Sequence, residues 1–161
     1  MKKTLVVYFS RTGHTRKLAQ EIGAQCGADV EAIEEARGRA GFWGYFRSGR
    51  EALKKQVIEI KSVTRHPANY DLVVLGTPVW ASNVSSPMRA YLVAYGRSCR
   101  NVAFFCAQGG QGADKVCRDM AELCGRAPIA TAVFTDSEIK RGRYTDKISA
   151  FVRAIALPKA A

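Results

Sequence analysis

The sequence predicts an α/β protein with a five-stranded, doubly wound parallel sheet and helices on both faces. Short apolar runs alternate with longer amphipathic segments along the chain, as in βαβ units. The apolar runs lack polar alternation, which is typical of parallel strands covered on both faces. No repeat, low-complexity tract or Pro/Gly/Ser-rich linker divides the 161 residues. We therefore expect a single domain over residues 1–161.

The elements follow from hydrophobic periodicity. The predicted strands are Leu5–Phe9, Asp29–Ile33, Asp71–Leu75, Asn101–Cys106 and Ile129–Phe134. Gly76-Thr77-Pro78 is interpreted as the end of the third strand. Apolar residues at helical spacing predict four helices, carrying Leu18, Ile22 and Cys26; Met88, Tyr91, Leu92 and Tyr95; Val116, Met120 and Leu123; and Ile148, Phe151, Val152 and Ile155.

The net charge of +11 is the most unusual bulk property. The excess of Lys and Arg falls in residues 1–17, 37–66 and 140–161. Such surfaces attract acidic partners, anionic substrates, nucleic acid or anionic lipid without choosing between them.

The apolar runs and the cysteines indicate the cellular compartment of the protein. The longest apolar runs are too short to span a bilayer, and Leu5–Phe9 is shorter than a signal-peptide core. The five cysteines are odd in number and contain no CxxC pair, so they indicate no metal site and no complete disulfide framework. We expect a cytoplasmic protein with buried free thiols. Cys117 and Cys124 lie seven residues apart on a predicted helix, so both could face the sheet, and a redox pair there stays open.

In open α/β sheets, ligands bind beyond the carboxyl ends of the strands, which here directs attention to residues 10–15, 77–87 and 107–112. The first of these loops offers hydroxyls, a glycine and the N-terminus of a helix, a combination suited to an anion. The alternative is an ordinary helix N-terminus capped by Thr12 or Thr15. Neither a Walker loop nor a GxGxxG fingerprint is present.

Residues 10–15 resemble the flavodoxin phosphate loop, [ST]-x-T-G-x-T directly after strand one. The resemblance extends over nearly the whole chain, without the strand-five insertion of long-chain flavodoxins. It implies a flavodoxin-like fold with strand order 2-1-3-4-5 and FMN as cofactor. It also implies that the FMN phosphate is surrounded by hydroxyls and backbone amides of Ser10, Arg11, Thr12, Gly13, His14 and Thr15. Arg11 and His14 occupy variable positions and are assigned mainly backbone contacts.

The second loop, 76–83, is similar to the family segment that lies along the isoalloxazine ring. The expected flavin contacts are Thr77, Pro78, Val79, Trp80, Ala81 and Asn83. Trp80 would supply an apolar wall for the ring, and the alternative is a buried core tryptophan. Asn83 either hydrogen-bonds the flavin or caps the following helix.

The third loop, 107–112, closes the other side of the ring in the family. Ala107, Gln108, Gly109 and Gly110 are expected to contact the flavin, because glycines let the backbone come close to a planar ligand. The aromatic residue often found in this loop is missing here. These loops therefore offer the ring at most one aromatic partner.

The segment 37–56 does not follow from the fold pattern. Phe42, Phe46 and Leu53 could form the buried face of a helix. Alternatively, Trp43 and Tyr45 among Arg39, Arg47 and Arg50 could form a docking surface for an anionic aromatic ligand or nucleic acid.

The sequence shows no catalytic nucleophile, acid–base dyad or metal-ligand cluster, and a flavin supplies its own redox chemistry. The leading hypothesis is electron transfer through bound FMN, with a redox protein that has an acidic docking face as partner. The alternative is an NAD(P)H-dependent FMN oxidoreductase acting on quinones or similar small acceptors. A hypothesis of another class is a binding module without flavin that uses its basic surface. Nucleic acid is disfavoured, because no recognition helix or RNA-binding signature is present.

Overall fold

The computed structural model describes residues 2–36 and 58–157. Its strands are β1 Thr4–Tyr8, β2 Asp29–Ala32, β3 Leu72–Trp80, β4 Asn83–Val84, β5 Val102–Gln108 and β6 Thr131–Thr135. Its α-helices are α1 His14–Cys26, α2 Ser86–Tyr95, α3 Ala113–Cys124, α4 Asp136–Lys140 and α5 Thr145–Ala156. Short 3₁₀ turns span Pro67–Asn69 and Gly96–Ser98.

The sheet has the order β2-β1-β3-β5-β6, and these five strands are parallel. The predicted α/β class is confirmed. Because β5 and β6 correspond to the predicted fourth and fifth strands, the predicted order 2-1-3-4-5 is confirmed as well. The short strand β4, which pairs antiparallel with β3, was not predicted.

β3 is longer than expected, so the prediction that Gly76-Thr77-Pro78 ends it is wrong. Thr77 and Pro78 continue the register with β5, and Val79 pairs with Val84 of β4. The Phe9 N–H donates to the Gly76 carbonyl, 3.1 Å away, so by the two-residue period of a strand Pro78 faces the same side. The ladder with β1 ends at Gly76. The missing N–H of Pro78 therefore costs no hydrogen bond to β1.

The core lies on both faces of the sheet. All five residues of β1 are buried. Leu5 and Val7 pack in an apolar cluster with residues of α2 and α3, whereas Val6 and Tyr8 pack in a second cluster with residues of α1 and α5. This is the arrangement expected of a doubly wound sheet. The apolar stripes predicted for the four long helices are confirmed as buried or partly buried surfaces.

The chain leaves and re-enters the described structure at one place. Glu35 forms an antiparallel bridge with Ile60, the Ala36 N–H donates to the Glu59 carbonyl over 3.1 Å, and the Lys61 N–H donates to the Glu34 carbonyl over 2.8 Å. Residues 37–57 lie outside the described residues. The helix and docking surface predicted for 37–56 therefore remain predictions.

Candidate functional site

The predicted loops lie at the edge of the sheet where the parallel strands end. Ser10–Gly13 connects β1 to α1, Ala81 and Ser82 form the turn between β3 and β4, and 109–112 connects β5 to α3. The structure places several expected site residues within strands, namely Thr77, Pro78, Val79 and Trp80 in β3 and Ala107 and Gln108 in β5. Their backbone positions are therefore set by sheet pairing rather than by loop conformation.

The first loop leaves the N-terminus of α1 without a side-chain cap. The N-cap residue is Gly13 in a left-handed conformation, with φ 98°. The alternative prediction that Thr12 or Thr15 caps this helix is wrong. Ser10 Oγ instead accepts a hydrogen bond from the Gly13 N–H, at 3.1 Å. The first amides of a helix need partners from outside it, so this loop suits an anion.

Positive charge surrounds the first loop. Arg11 is exposed, and the Arg16 guanidinium lies 3.6 Å from the position that a Cβ on Gly13 would take. Lys17 Nζ lies 5.6 Å from the ring centroid of Tyr144. Burial raises the pKa of the Tyr8 phenol, and the charge of Arg16 partly offsets this rise. Together with the N-terminal dipole of α1, these cations favour a phosphate group here.

The second loop is a tight hairpin. Ala81 and Ser82 have φ values of 47° and 58°, the left-handed conformation that a two-residue type I′ turn requires at both positions. Trp80, directly before the turn, is partly exposed and packs edge to face on Phe9, with ring centroids 5.5 Å apart. It also packs against the apolar cluster beneath it. Trp80 thus joins the core on one side and presents aromatic surface on another.

Thr77 and Asn83 hold the hairpin in place. The Thr77 hydroxyl is fully buried and lies 2.8 Å from Ser85 Oγ. The Asn83 side-chain amide donates to the Ala81 carbonyl at 2.7 Å, and its oxygen accepts from Lys115 Nζ at 2.9 Å. The N-cap of α2 is Ser85, so the suggestion that Asn83 caps this helix is wrong. Asn83 instead joins the hairpin to α3.

The third loop combines a buried beginning with an exposed tip. Ala107 is buried and belongs to the apolar cluster beneath α1 and α5. Gln108 Oε1 accepts a hydrogen bond from the Ala113 N–H at 3.2 Å, so this side chain caps α3. Gly109 and Gly110 are exposed. Gly112, with φ 111°, is the N-cap residue of α3.

Contacts join the three loops to one another. Trp80 of the second loop contacts Phe9. Its ring centroid lies 6.0 Å from Cζ of the Arg11 guanidinium in the first loop. A Cβ added to Gly112 would lie 2.7 Å from Ser82, so the second and third loops touch backbone to backbone. The structure therefore brings the three predicted loops together.

Asp136 connects the first loop to the third, and sequence reasoning missed it. Its Oδ1 lies 3.0 Å from His14 Nδ1, and its Oδ2 lies 3.1 Å from the Cβ position of Gly109. A signal was present, because Thr135 and Glu138 have the spacing of a helix capping box directly after the fifth strand. The structure shows both bonds of this box.

The capping box carries a perturbed carboxyl group. Glu138 Oε1 lies 2.6 Å from Lys147 Nζ, and Glu138 Oε2 accepts from the Thr135 N–H at 2.8 Å. These bonds, the one from Lys147 first, hold the pKa of Glu138 below its usual range. The box thereby fixes the start of α4, where Asp136 lies.

The described residues contain neither a candidate metal site nor a candidate membrane-spanning helix. No group of three or more His, Cys, Asp or Glu side chains in these ranges could hold a metal ion. No helix in this part of the chain is both long and apolar enough to cross a membrane.

The sequence is similar to known proteins. A profile of the family described as flavodoxin matches residues 3–153. The NAD(P)H dehydrogenase (quinone) 3 of Rhizobium meliloti is 38% identical over a region covering 57% of this chain and 43% of the relative. The chain thus spans less than half the length of the curated relatives it matches.

The fold is similar to solved structures. A Lactobacillus acidophilus flavoprotein in complex with FMN has a TM-score of 0.72 at 24% identity, covering 88% of this chain and 98% of that one. Megasphaera elsdenii flavodoxin in its two-electron reduced form has a TM-score of 0.56 at 21% identity, covering 94% of this chain and 98% of that one. At these identities the likeness is one of fold.

Proposed function

This chain belongs to the flavodoxin family, and we propose that it binds FMN at the three joined loops and transfers electrons through it. The observation that carries the proposal is the convergence of the loops at the carboxyl edge of the sheet, through Trp80, Gly112 and Asp136. This is where ligands bind in doubly wound sheets. The family match and the FMN-bound structural neighbour support the cofactor. We assign the site to a single domain over residues 1–161.

The residues present fit the phosphate end of FMN. The α1 N-terminus has no side-chain cap, and Arg11, Arg16 and Lys17 place positive charge around it. A phosphate would accept hydrogen bonds from the amides of 10–15 and from the hydroxyls of this loop. No acidic residue occurs in 1–17, and Asp136, a carboxylate that contacts this loop from another element, is held by His14.

The residues also fit the ring end. Gly112 leaves no room for a side chain against Ser82, and Gly109 and Gly110 carry none. Because these glycines have no side chains, a flat ring can come close to the backbone groups of the third loop. Trp80 offers an apolar wall, and Pro78, Val79 and Ala81 offer backbone groups beside it. When bound, FMN supplies the redox chemistry. Trp80 and the backbone groups of the three loops would orient the cofactor and limit its contact with water.

A second candidate function is NAD(P)H-dependent reduction of quinones through the same FMN. The quinone dehydrogenase of Rhizobium meliloti supports it by sequence similarity. The positive charge of the chain, +11, also suits anionic nicotinamide phosphates. An electron carrier would instead use this charge to dock an acidic redox protein.

An anaerobic spectral titration tests both functions. The apo protein is mixed with FMN, and then with NADPH or NADH, a soluble quinone and finally dithionite. Flavin bands that persist until dithionite is added support an electron carrier. Bands that bleach with NAD(P)H and return with quinone support the oxidoreductase. Failure to take up FMN would overturn the proposal, and salt-sensitive affinity for nucleic acid would then support a binding module without flavin.

A further inference from the structure

Two cysteines of different elements meet beneath the third loop. Cys106 Sγ in β5 and Cys117 Sγ in α3 are 4.0 Å apart. Cys106 is fully buried, whereas Cys117 is partly exposed and lies at the margin of the apolar core. The pair lies across the strand–helix junction that contains 109–112. The FMN site as assigned above does not use either sulfur.

We propose that Cys106 and Cys117 form an oxidation site, at which a hydroperoxide converts the two thiols into a reversible intrachain disulfide. The sulfur atoms need to approach each other by about 2 Å to reach bonding distance. The two cysteines are 11 positions apart in the chain. The disulfide would join two ordered elements, because Cys106 lies in β5 and Cys117 in α3. The proposal does not depend on bound FMN.

The environment gives the two sulfurs different roles. The facing Cys106 S–H lowers the pKa of the Cys117 thiol, against burial and the nearby Asp114 carboxylate, which raise it. The same contact, together with burial, raises the pKa of Cys106. The partly exposed cysteine therefore forms the thiolate more readily, and the thiolate is the nucleophile in thiol oxidation. Cys117 thus reacts first and Cys106 resolves.

The reaction balances without a further reagent. The Cys117 thiol loses its proton, and the thiolate attacks one peroxide oxygen. The O–O bond breaks, Cys117 becomes a sulfenic acid, and the leaving hydroxide takes up the released proton as the first water. Cys106 sulfur then attacks Cys117 Sγ, the S–O bond breaks, and a second water leaves with the proton of Cys106. Two thiols are oxidised to one disulfide, and one hydrogen peroxide is reduced to two waters.

A peptide map of the full chain tests the proposal. Each cysteine falls in its own tryptic peptide: 18–37, 98–100, 101–115, 116–118 and 119–126. The protein is titrated with hydrogen peroxide, free thiols are alkylated, and the digest is analysed by mass spectrometry. We expect 101–115 linked to 116–118, with two of the five thiols lost and both regained after a dithiol reductant.

Other outcomes overturn it. These are a link between 98–100 and 119–126, a link between two chains on a non-reducing gel, or sulfinic acid at Cys117 with Cys106 still alkylated. The wild-type map decides the question even if a variant fails to fold.

Variants separate the two roles. Cys117→Ser should leave Cys106 reduced. Cys106→Ala, which keeps a small apolar side chain at a buried position, should let dimedone trap a sulfenic acid at Cys117. Cys26→Ser, a change at a partly exposed cysteine of α1, is the matched control and should form the link as the wild type does. Two results together would contradict the assignment of Cys117 as the first thiol to react. They are the absence of dimedone labelling in Cys106→Ala and the presence of labelling at Cys26 in the wild type.

Discussion

His14 Nδ1 and Asp136 Oδ1 lie 3.0 Å apart although 122 positions separate these residues in the chain. The pair joins the start of α1 to the start of α4, and both side chains are partly exposed. Because Asp136 also lies against Gly109, the contact orders two loops of the candidate site at once.

Removing this contact should cost little stability. For a partly exposed pair we expect a coupling of about 0.2–1 kcal/mol between His14→Ala and Asp136→Ala in the free energy of unfolding. Urea denaturation of both single variants and the double variant measures it. The double-mutant cycle is needed because Asp136, in the first turn of α4, also interacts with the helix dipole. A coupling of zero would mean that the contact does not hold the loops together.

Gly112→Ala should destabilise the protein and displace the second loop. The new Cβ would lie 2.7 Å from Ser82, at a residue with φ 111°. Overpacking of this kind costs about 1–3 kcal/mol, and a left-handed alanine adds about 1–2 kcal/mol. Chemical denaturation gives the sum.

Two other glycines separate these costs. Gly142→Ala introduces a side chain at φ 67° with nothing within 4 Å, so it should show the backbone cost alone. Gly110→Ala meets neither problem and should change stability by less than about 0.5 kcal/mol. If Gly112→Ala were no worse than Gly142→Ala, the close approach to Ser82 would be of no consequence.

Trp80→Ala should weaken FMN binding by about 2- to 10-fold, the equivalent of one aromatic contact. Trp80→Phe keeps a flat ring and should retain most of the affinity. Titration of FMN fluorescence against each variant measures the dissociation constants. Because the chain has two tryptophans, quenching of Trp80 emission by FMN is best followed in a Trp43→Phe background. Equal affinities for all three proteins would place the ring elsewhere.

Glu138 should make stability depend on pH in the acid range. Its pKa is lowered in the folded protein, chiefly by Lys147 and then by the Thr135 N–H. The stabilisation is therefore fully present above the unfolded pKa of about 4.3, and it is lost as pH falls through the folded pKa. Glu138→Gln should have a lower melting temperature than the wild type at neutral pH. Thermal unfolding at several pH values should show this difference shrinking in acid, and a constant difference would argue against the ion pair.

The parallel sheet could be predicted because its strands are covered on both faces and therefore appear as unbroken apolar runs. Family membership, predicted from residues 10–15, is confirmed. Two errors have local causes. Pro78 suggested a strand end, but its missing N–H faces the side where β1 has already ended. β4 was missed because it has two residues and because its turn, Ala81-Ser82, lacks the Asn or Gly that usually marks such hairpins.

Contacts between distant elements could not be predicted from spacing. Nothing along the chain pairs His14 with Asp136, or places Ser82 against Gly112. The cysteines show the same limit. Spacing drew attention to Cys117 and Cys124 on one helix, whereas the short distance is between Cys117 and a strand residue, Cys106. The assignment of individual residues to FMN stays a prediction.

The bridge between Glu35 and Ile60 has a consequence for how this protein can vary. It closes the chain on itself at the edge of the sheet, so the ends of the 37–57 segment are tied together by described residues. Once such ends are tied, doubling the length between them costs only about 0.6 kcal/mol of closure entropy. An exchange of this segment between homologues is therefore compatible with an unchanged register of β1 and β3. We therefore expect the strands on either side to keep their pairing when residues 37–57 are replaced by another sequence.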